Sequence, residues 1–183
     1  MIHNIPLEYD KINIKQKLGH FNDFTFIPLK YDNNDIVIQT PKLFIPFNIS
    51  KFRDKKYLDL SFQNIKNDKN IKLFYENILL IHEKINKVLK KYEITKIFKE
   101  YNKNILLRLK VLDNTSFFDH NKNRIYNIEN LTYGEFIIHL QGLWLIDNKI
   151  SFNLILLQAK VDMPLYLDKY AFIDGDGGNV VEK

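Results

Sequence analysis

Apolar and polar positions alternate most regularly over residues 135–161. Phe136, Ile138, Leu140, Trp144 and Ile146 share one parity, with Gly142 among them. After Asp147-Asn148-Lys149, the residues Ile150, Phe152, Leu154 and Leu156 share another, until Gln158 and Lys160 break the run. Successive side chains on a strand point to opposite faces, so this stretch predicts two strands joined at the Asp-Asn-Lys turn. Both faces are largely apolar in the middle, which places the hairpin at the centre of a doubly covered β core. Gly142 brings no side chain to that packing and predicts a bulge, a bend or a close backbone approach.

The rest of the chain is read the same way. Residues 1–19 form an irregular lead-in. Residues 24–29 and 35–40 read as strands on either side of the turn Asp32-Asn33-Asn34. Pro41 and Pro46 restrict residues 42–45 to an edge or a loop. Residues 57–62 alternate with Leu58, Leu60 and Phe62 inward, and residues 105–111 do so with Arg108 and Lys110 outward. One long helix is predicted, because Ile71, Phe74, Ile78, Ile81, Ile85, Val88 and Tyr92 recur at steps of three and four. Asp68 or Asn67 is the expected cap. Ile97, Phe98 and Tyr101 suggest a second, shorter helix over residues 95–102, and residues 114–129 read as a polar connection.

Strands that do not alternate with helices argue against a doubly wound α/β fold. The expected class is mainly β with one long helix, arranged as an OB-fold-like barrel, with a β-sandwich as the alternative. A single domain is expected over residues 1–161, followed by a weakly acidic C-terminal tail over 162–183, which holds five acids against two bases.

Composition narrows the function. There are 0 Cys, which removes disulfides and thiolate metal sites. No apolar run is long enough to span a bilayer, and the N-terminus has no secretory pattern, so no membrane partner and an intracellular location are expected. The five His show no metal-ligand spacing. His139 reads as a partly exposed strand residue, and Asp119-His120 as a surface pair. There is no phosphate-binding glycine loop and no nucleophile elbow. Gly175, Gly177 and Gly178 read as part of a tail. No cofactor, no metal and no enzymatic activity are expected.

The formal net charge is +5, which suits an anionic partner. More telling, basic residues are interleaved with aromatics. Lys51, Phe52, Arg53, Lys55, Lys56 and Tyr57 lie in one basic stretch that also holds Phe47. Arg108 and Lys110 lie on an outward strand face, and Lys122, Arg124 and Tyr126 precede the hairpin. A positive groove with aromatic faces is how single-stranded nucleic acid is held. The expected contacts are phosphates at the basic residues and bases at Phe52 and Tyr57. For Trp144, core packing is favoured over base stacking. A structural or protein-interaction role, such as a virion component, is the rival reading.

Four pieces carry a resemblance to a known family. They are Ile38-Gln39-Thr40-Pro41-Lys42-Leu43, then Lys56-Tyr57-Leu58-Asp59-Leu60-Ser61-Phe62 leading into the helix, then Leu140-Gln141-Gly142-Leu143-Trp144-Leu145 continuing to Leu157-Gln158-Ala159-Lys160-Val161, and last Tyr170-Ala171-Phe172-Ile173-Asp174. With these the chain resembles the single-stranded DNA-binding proteins of large nucleocytoplasmic DNA viruses, and distantly the replication protein of T-seven-like phages. The resemblance implies a barrel that coats single-stranded DNA during viral replication and recombination, in the host cytoplasm (a viral factory) or nucleus. It also implies an acidic C-terminal tail that contacts replication proteins, and a homodimer. The tail here departs from that pattern, ending Val180-Val181-Glu182-Lys183.

Overall fold

A computed structural model describes residues 2–3, 5–14, 19–21 and 24–163. The pieces named above at 170–174 and at Gly175, Gly177 and Gly178, and the tail from residue 164 onward, lie outside the described residues. The strands are β1 (Ile12–Ile14), β2 (Gly19–Phe21), β3 (Phe24–Tyr31), β4 (Asn34–Gln39), β5 (Leu43–Ile45), β6 (Ser50–Phe52), β7 (Lys55–Ser61), β8 (Glu93–Ile94), β9 (Phe98–Tyr101), β10 (Asn104–Phe118), β11 (Arg124–Ile125), β12 (Thr132–Ile146) and β13 (Lys149–Val161). One helix, α1 (Lys69–Val88), lies between β7 and β8.

Five strands close on themselves. β12 pairs with β5, β5 with β7, β7 with β10, β10 with β13, and β13 returns to β12. The chain is therefore mainly β, with a closed five-stranded barrel of the OB-fold kind and one helix. Closure leaves the ring without free edges. The interior is filled from alternate positions, with Leu58, Leu60, Leu107, Leu109, Phe136, Ile138, Leu140 and Leu156 all at or below 1% exposure. β3 and β4 extend the sheet along β12, where Ile138 faces Ile38 and Leu143 faces Ile27.

The helix forms over most of its stripe but ends at Val88, which is exposed, so Tyr92 lies beyond it. Ile71, Phe74, Ile78, Ile81 and Ile85 are buried on one face. The Asp68 carboxylate caps the N-terminus by accepting from the backbone N–H of Asn70 and Ile71. Phe62 joins the helix to the barrel, with its ring stacked on Phe74 and edge-on to Phe98. Asn77, buried on the same helix, accepts from the backbone N–H of Leu7 at 2.7 Å and so ties the N-terminal segment down.

Three expectations are corrected. Residues 95–102 are not helical: Phe98–Tyr101 is strand β9, paired antiparallel with β10. Ile97, Phe98 and Tyr101 fit a helical spacing, but the adjacent edge of β10 satisfies the backbone instead, and Phe98 fills the space beside Phe62 and Tyr75. Residues 43–45 are not an edge: β5 lies between β12 and β7. Both prolines flank the pairing and remove no ladder donor. The polar connection at 114–129 is partly strand, because β10 continues to Phe118 past a register shift between Val111 and Ser116. There Thr115 Oγ1 donates to the Leu156 carbonyl and accepts from the Leu112 backbone N–H, so a polar residue sits buried inside the ladder.

The hairpin is as the pattern predicts, with Asp147 and Asn148 in left-handed backbone conformations at its turn. Gly142 combines two of its three readings. It sits at a register shift, and a Cβ there would lie 2.4 Å from the Ile27 carbonyl oxygen.

Candidate functional site

The outer face of the barrel is shaped by alternation on four strands. On β10, Leu106, Arg108 and Lys110 point away from the core occupied by Leu107 and Leu109. The register places Lys110 opposite Tyr57 and Arg108 opposite Asp59 on β7. On the other side β9 sets Lys99 opposite Leu106, on the same face. β12 adds Trp144, opposite Ser151. Of these, Tyr57, Lys99, Arg108, Lys110, Trp144 and Ser151 line a groove of about 720 Å³. Its walls carry Lys55, Lys96, Lys99 and Lys110 together with Phe24, Tyr57, Trp144 and Phe152, and among the described residues no carboxylate lines it.

The floor is held by one ion pair. Arg108 donates from Nε and Nη2 to the two carboxylate oxygens of Asp59, at 2.7 and 2.6 Å. The Asp59 side chain is 8% exposed and that of Arg108 is 39% exposed. The hydrogen bonds from Asp59 push the Arg108 guanidinium further up from its ordinary value. The guanidinium carbon also lies 5.7 Å from the centre of the Tyr57 ring. Arg108 therefore neutralises a buried carboxylate and steadies Tyr57 (its charge is largely committed within the protein). Removing one partner of a buried pair costs about 3–5 kcal/mol, and solvent on the open side of Arg108 reduces this. Arg108→Ala is expected to lower stability by about 2 kcal/mol. Asp59→Asn in the same chain should recover much of that loss, as checked by urea denaturation of both variants.

Lys99 is the electrostatic opposite. Burial first, and the Arg108 charge second, lower its pKa from the ordinary lysine value. Lys99 is nevertheless an exposed residue that stands beside a second cation, and an anion entering the groove would ease that repulsion.

Of the residues singled out in the sequence, the fold brings Lys55, Tyr57, Arg108 and Lys110 into the groove. Phe52 pairs with Lys55 across the β6–β7 hairpin and shares its side. It is 65% exposed, and Arg53, in a left-handed turn conformation, lies over its ring. Lys51 and Lys56 pair with each other on the opposite side of that hairpin, and Lys56 bonds Asp113 at 2.9 Å. Lys122 and Arg124 lie beyond, at the far end of β10, where Arg124 pairs with Phe118. Lys122 lines a separate depression with Glu135 and Lys160, which form an ion pair with each other. The three basic segments therefore do not meet in one groove.

A helix over 95–102 gives no reason to set Lys96 and Lys99 beside Arg108 and Lys110, whereas the pairing of β9 with β10 does so for Lys99. Read as a strand, the segment puts Lys99 and Tyr101 on one face, and that parity was the available signal. Trp144 is neither buried nor free. It is half-buried, 4.7 Å from the Phe26 ring, and lines the groove. His139 is half-buried as expected, and desolvation lowers its pKa against the opposing pull of Asp35. Among the described residues no group of His, Asp or Glu is placed to hold a metal, and no helix is long and apolar enough to cross a membrane.

A scan against protein-family models finds no match, and a search of curated proteins finds none. Solved structures do match. The chain is similar to gp2.5, a single-stranded DNA-binding protein encoded by bacteriophage T7, with a TM-score of 0.52 at 12% identity over 81% of this chain and 100% of that one. It is also similar to a C-terminal truncation of the single-stranded DNA-binding protein from bacteriophage Enc34, with a TM-score of 0.51 at 9% identity over 86% of this chain and 98% of that one. At such identities the likeness is one of fold, so the chain has the barrel fold that these phage proteins share.

Proposed function

We propose that this protein is a non-enzymatic, sequence-tolerant single-stranded DNA-binding protein. The observation that carries the reading is the groove: four lysines and four aromatic rings line it, and among the described residues no carboxylate does. Phosphates would meet Lys55, Lys96, Lys99 and Lys110, and bases would stack on Tyr57 and Trp144. Stacking on an aromatic face contributes about 1–3 kcal/mol per base and is sequence-tolerant. Arg108 is a positioning residue in this scheme. Phe52 and Arg53 would extend the contact along the β6–β7 hairpin. Lys51, Lys56, Lys122 and Arg124 would meet only a strand that has left the groove. The shared fold with phage proteins named for single-stranded DNA binding supports the reading.

The wider role proposed is that of a coating protein in viral DNA replication and recombination, in a large DNA virus, acting in the host cytoplasm or nucleus. A homodimer and contacts to replication proteins through the tail belong to the same proposal. Asp162, where the tail begins, is bonded to the barrel: its carboxylate pairs with Lys42 at 2.5 Å and its carbonyl accepts from Thr132.

Four phosphate contacts on a single strand predict a log–log salt slope of about −3. Fluorescence anisotropy with a labelled oligo-dT, titrated at several salt concentrations, measures it. A salt-independent affinity, or equal affinity for duplex DNA, would overturn the reading in favour of a protein-interaction role.

A further inference from the structure

The groove does not account for the exposed rings of Phe47 and Tyr101. They lie 5.2 Å apart, edge to face at 90°, and are 36% and 51% exposed. Neither belongs to the buried core. Phe47 follows β5, on the side of β7 away from β10, whereas Tyr101 ends β9, on the side of β10 away from β7. The two rings therefore meet across the outer face of the barrel.

Their position is continuous with the groove. On β9, Tyr101 lies two residues beyond Lys99 and on its face, and their partners Asn104 and Leu106 share the parity of Arg108 and Lys110. Alternation turns Glu100, the intervening acid, to the opposite face. Asn102 and Lys103 hold the left-handed conformations of a tight hairpin turn, which sets Tyr101 at the end of its strand. Cations thus flank the ring in sequence at Lys99 and Lys103. Exposed aromatic faces beside spaced cations suit bases on a phosphate backbone better than an apolar protein surface.

We infer that Phe47 and Tyr101 form a second stacking platform, so that a bound single strand runs from Trp144, past Tyr57 and Lys99, to this pair. The inference rests on the proposed single-stranded DNA binding and adds the path and its far end. Two oligo-dT lengths separate the claims: one of about 5 nucleotides, which the groove alone accommodates, and one of about 16. Tyr101→Ser and Phe47→Ala should each weaken binding of the long strand about tenfold and leave the short strand unchanged. Unaltered protein should show the same loss when the long strand carries abasic residues over the part that reaches the pair, a result no folding defect can imitate. Full affinity for the partly abasic strand, or an equal loss on both lengths, overturns the platform. If Lys99→Glu also leaves both lengths unaffected, the groove reading itself falls.

Discussion

Lys99→Glu together with Lys110→Glu should weaken single-stranded DNA binding about 100-fold at moderate salt, while the protein stays folded. Both lysines lie in the groove. Replacing a cation by an anion near a phosphate changes the interaction twice over, by loss of attraction and by gain of repulsion. With partial screening, two such changes amount to about 3 kcal/mol, or about 100-fold in affinity. The neutral variant Lys99→Met makes the argument sharper. A lysine whose folded pKa lies below its unfolded value is a penalty on the fold. That penalty is fully present at neutral pH and is relieved only as pH rises through the folded value. The shift at Lys99 has this sign, from burial and then from Arg108. Lys99→Met should therefore leave the melting temperature unchanged or raise it, while affinity falls. Anisotropy and thermal melting of one preparation test both halves. A fall in stability with unchanged affinity would mean that Lys99 serves the fold and not a ligand.

Gly142→Ala is expected to be among the most damaging small substitutions available. A Cβ at this position would lie 2.4 Å from the Ile27 carbonyl oxygen and 2.6 Å from the Phe26 ring. A phenyl ring can turn aside, but a carbonyl in the β3–β12 pairing moves only with its strand. Overpacking of this kind costs about 1–3 kcal/mol, and the backbone obstacle puts this site at the upper end. The damage should also reach the groove. Phe26 packs on Trp144, two residues from Gly142, and faces it across the strands. Chemical denaturation should show a loss of about 3 kcal/mol, and the single tryptophan's fluorescence should shift in the native baseline. A native spectrum and unchanged stability would show that β3 yields easily at Ile27.

Local pattern made most of the barrel legible. Alternation at 57–62, 105–111 and 135–161 predicted β7, β10, β12 and β13, four of the five barrel strands, and the three–four spacing predicted α1. These elements read clearly because each buries one side against the core, and burial imposes its period on the sequence. Segments whose structure depends on a neighbour were not legible. The segment of β9 reads as a helix in sequence, because Ile97, Phe98 and Tyr101, three apolar residues over five positions, do not settle the period, and only the edge of β10 decides it. The segment of β5 reads as an edge or loop in sequence, because its prolines say where pairing stops but not how many partners lie between them.

The site divides along the same line. Sequence alone determined that basic and aromatic residues are interleaved around Lys55, Tyr57, Arg108 and Lys110, and that no thiolate chemistry is available. It also marked Gly142 as a place of close approach, because a glycine inside a strong strand pattern has few other reasons to be there. Only the tertiary structure decided which charges share a surface. Strand register set Arg108 against Asp59 and so withdrew it from the free cations, while pairing β9 to β10 brought Lys99 to the same face. The far end of β10 carried Lys122 and Arg124 away. Charge and ring count are properties of residues, but a groove is a property of register, and register follows from contacts between segments distant in the chain.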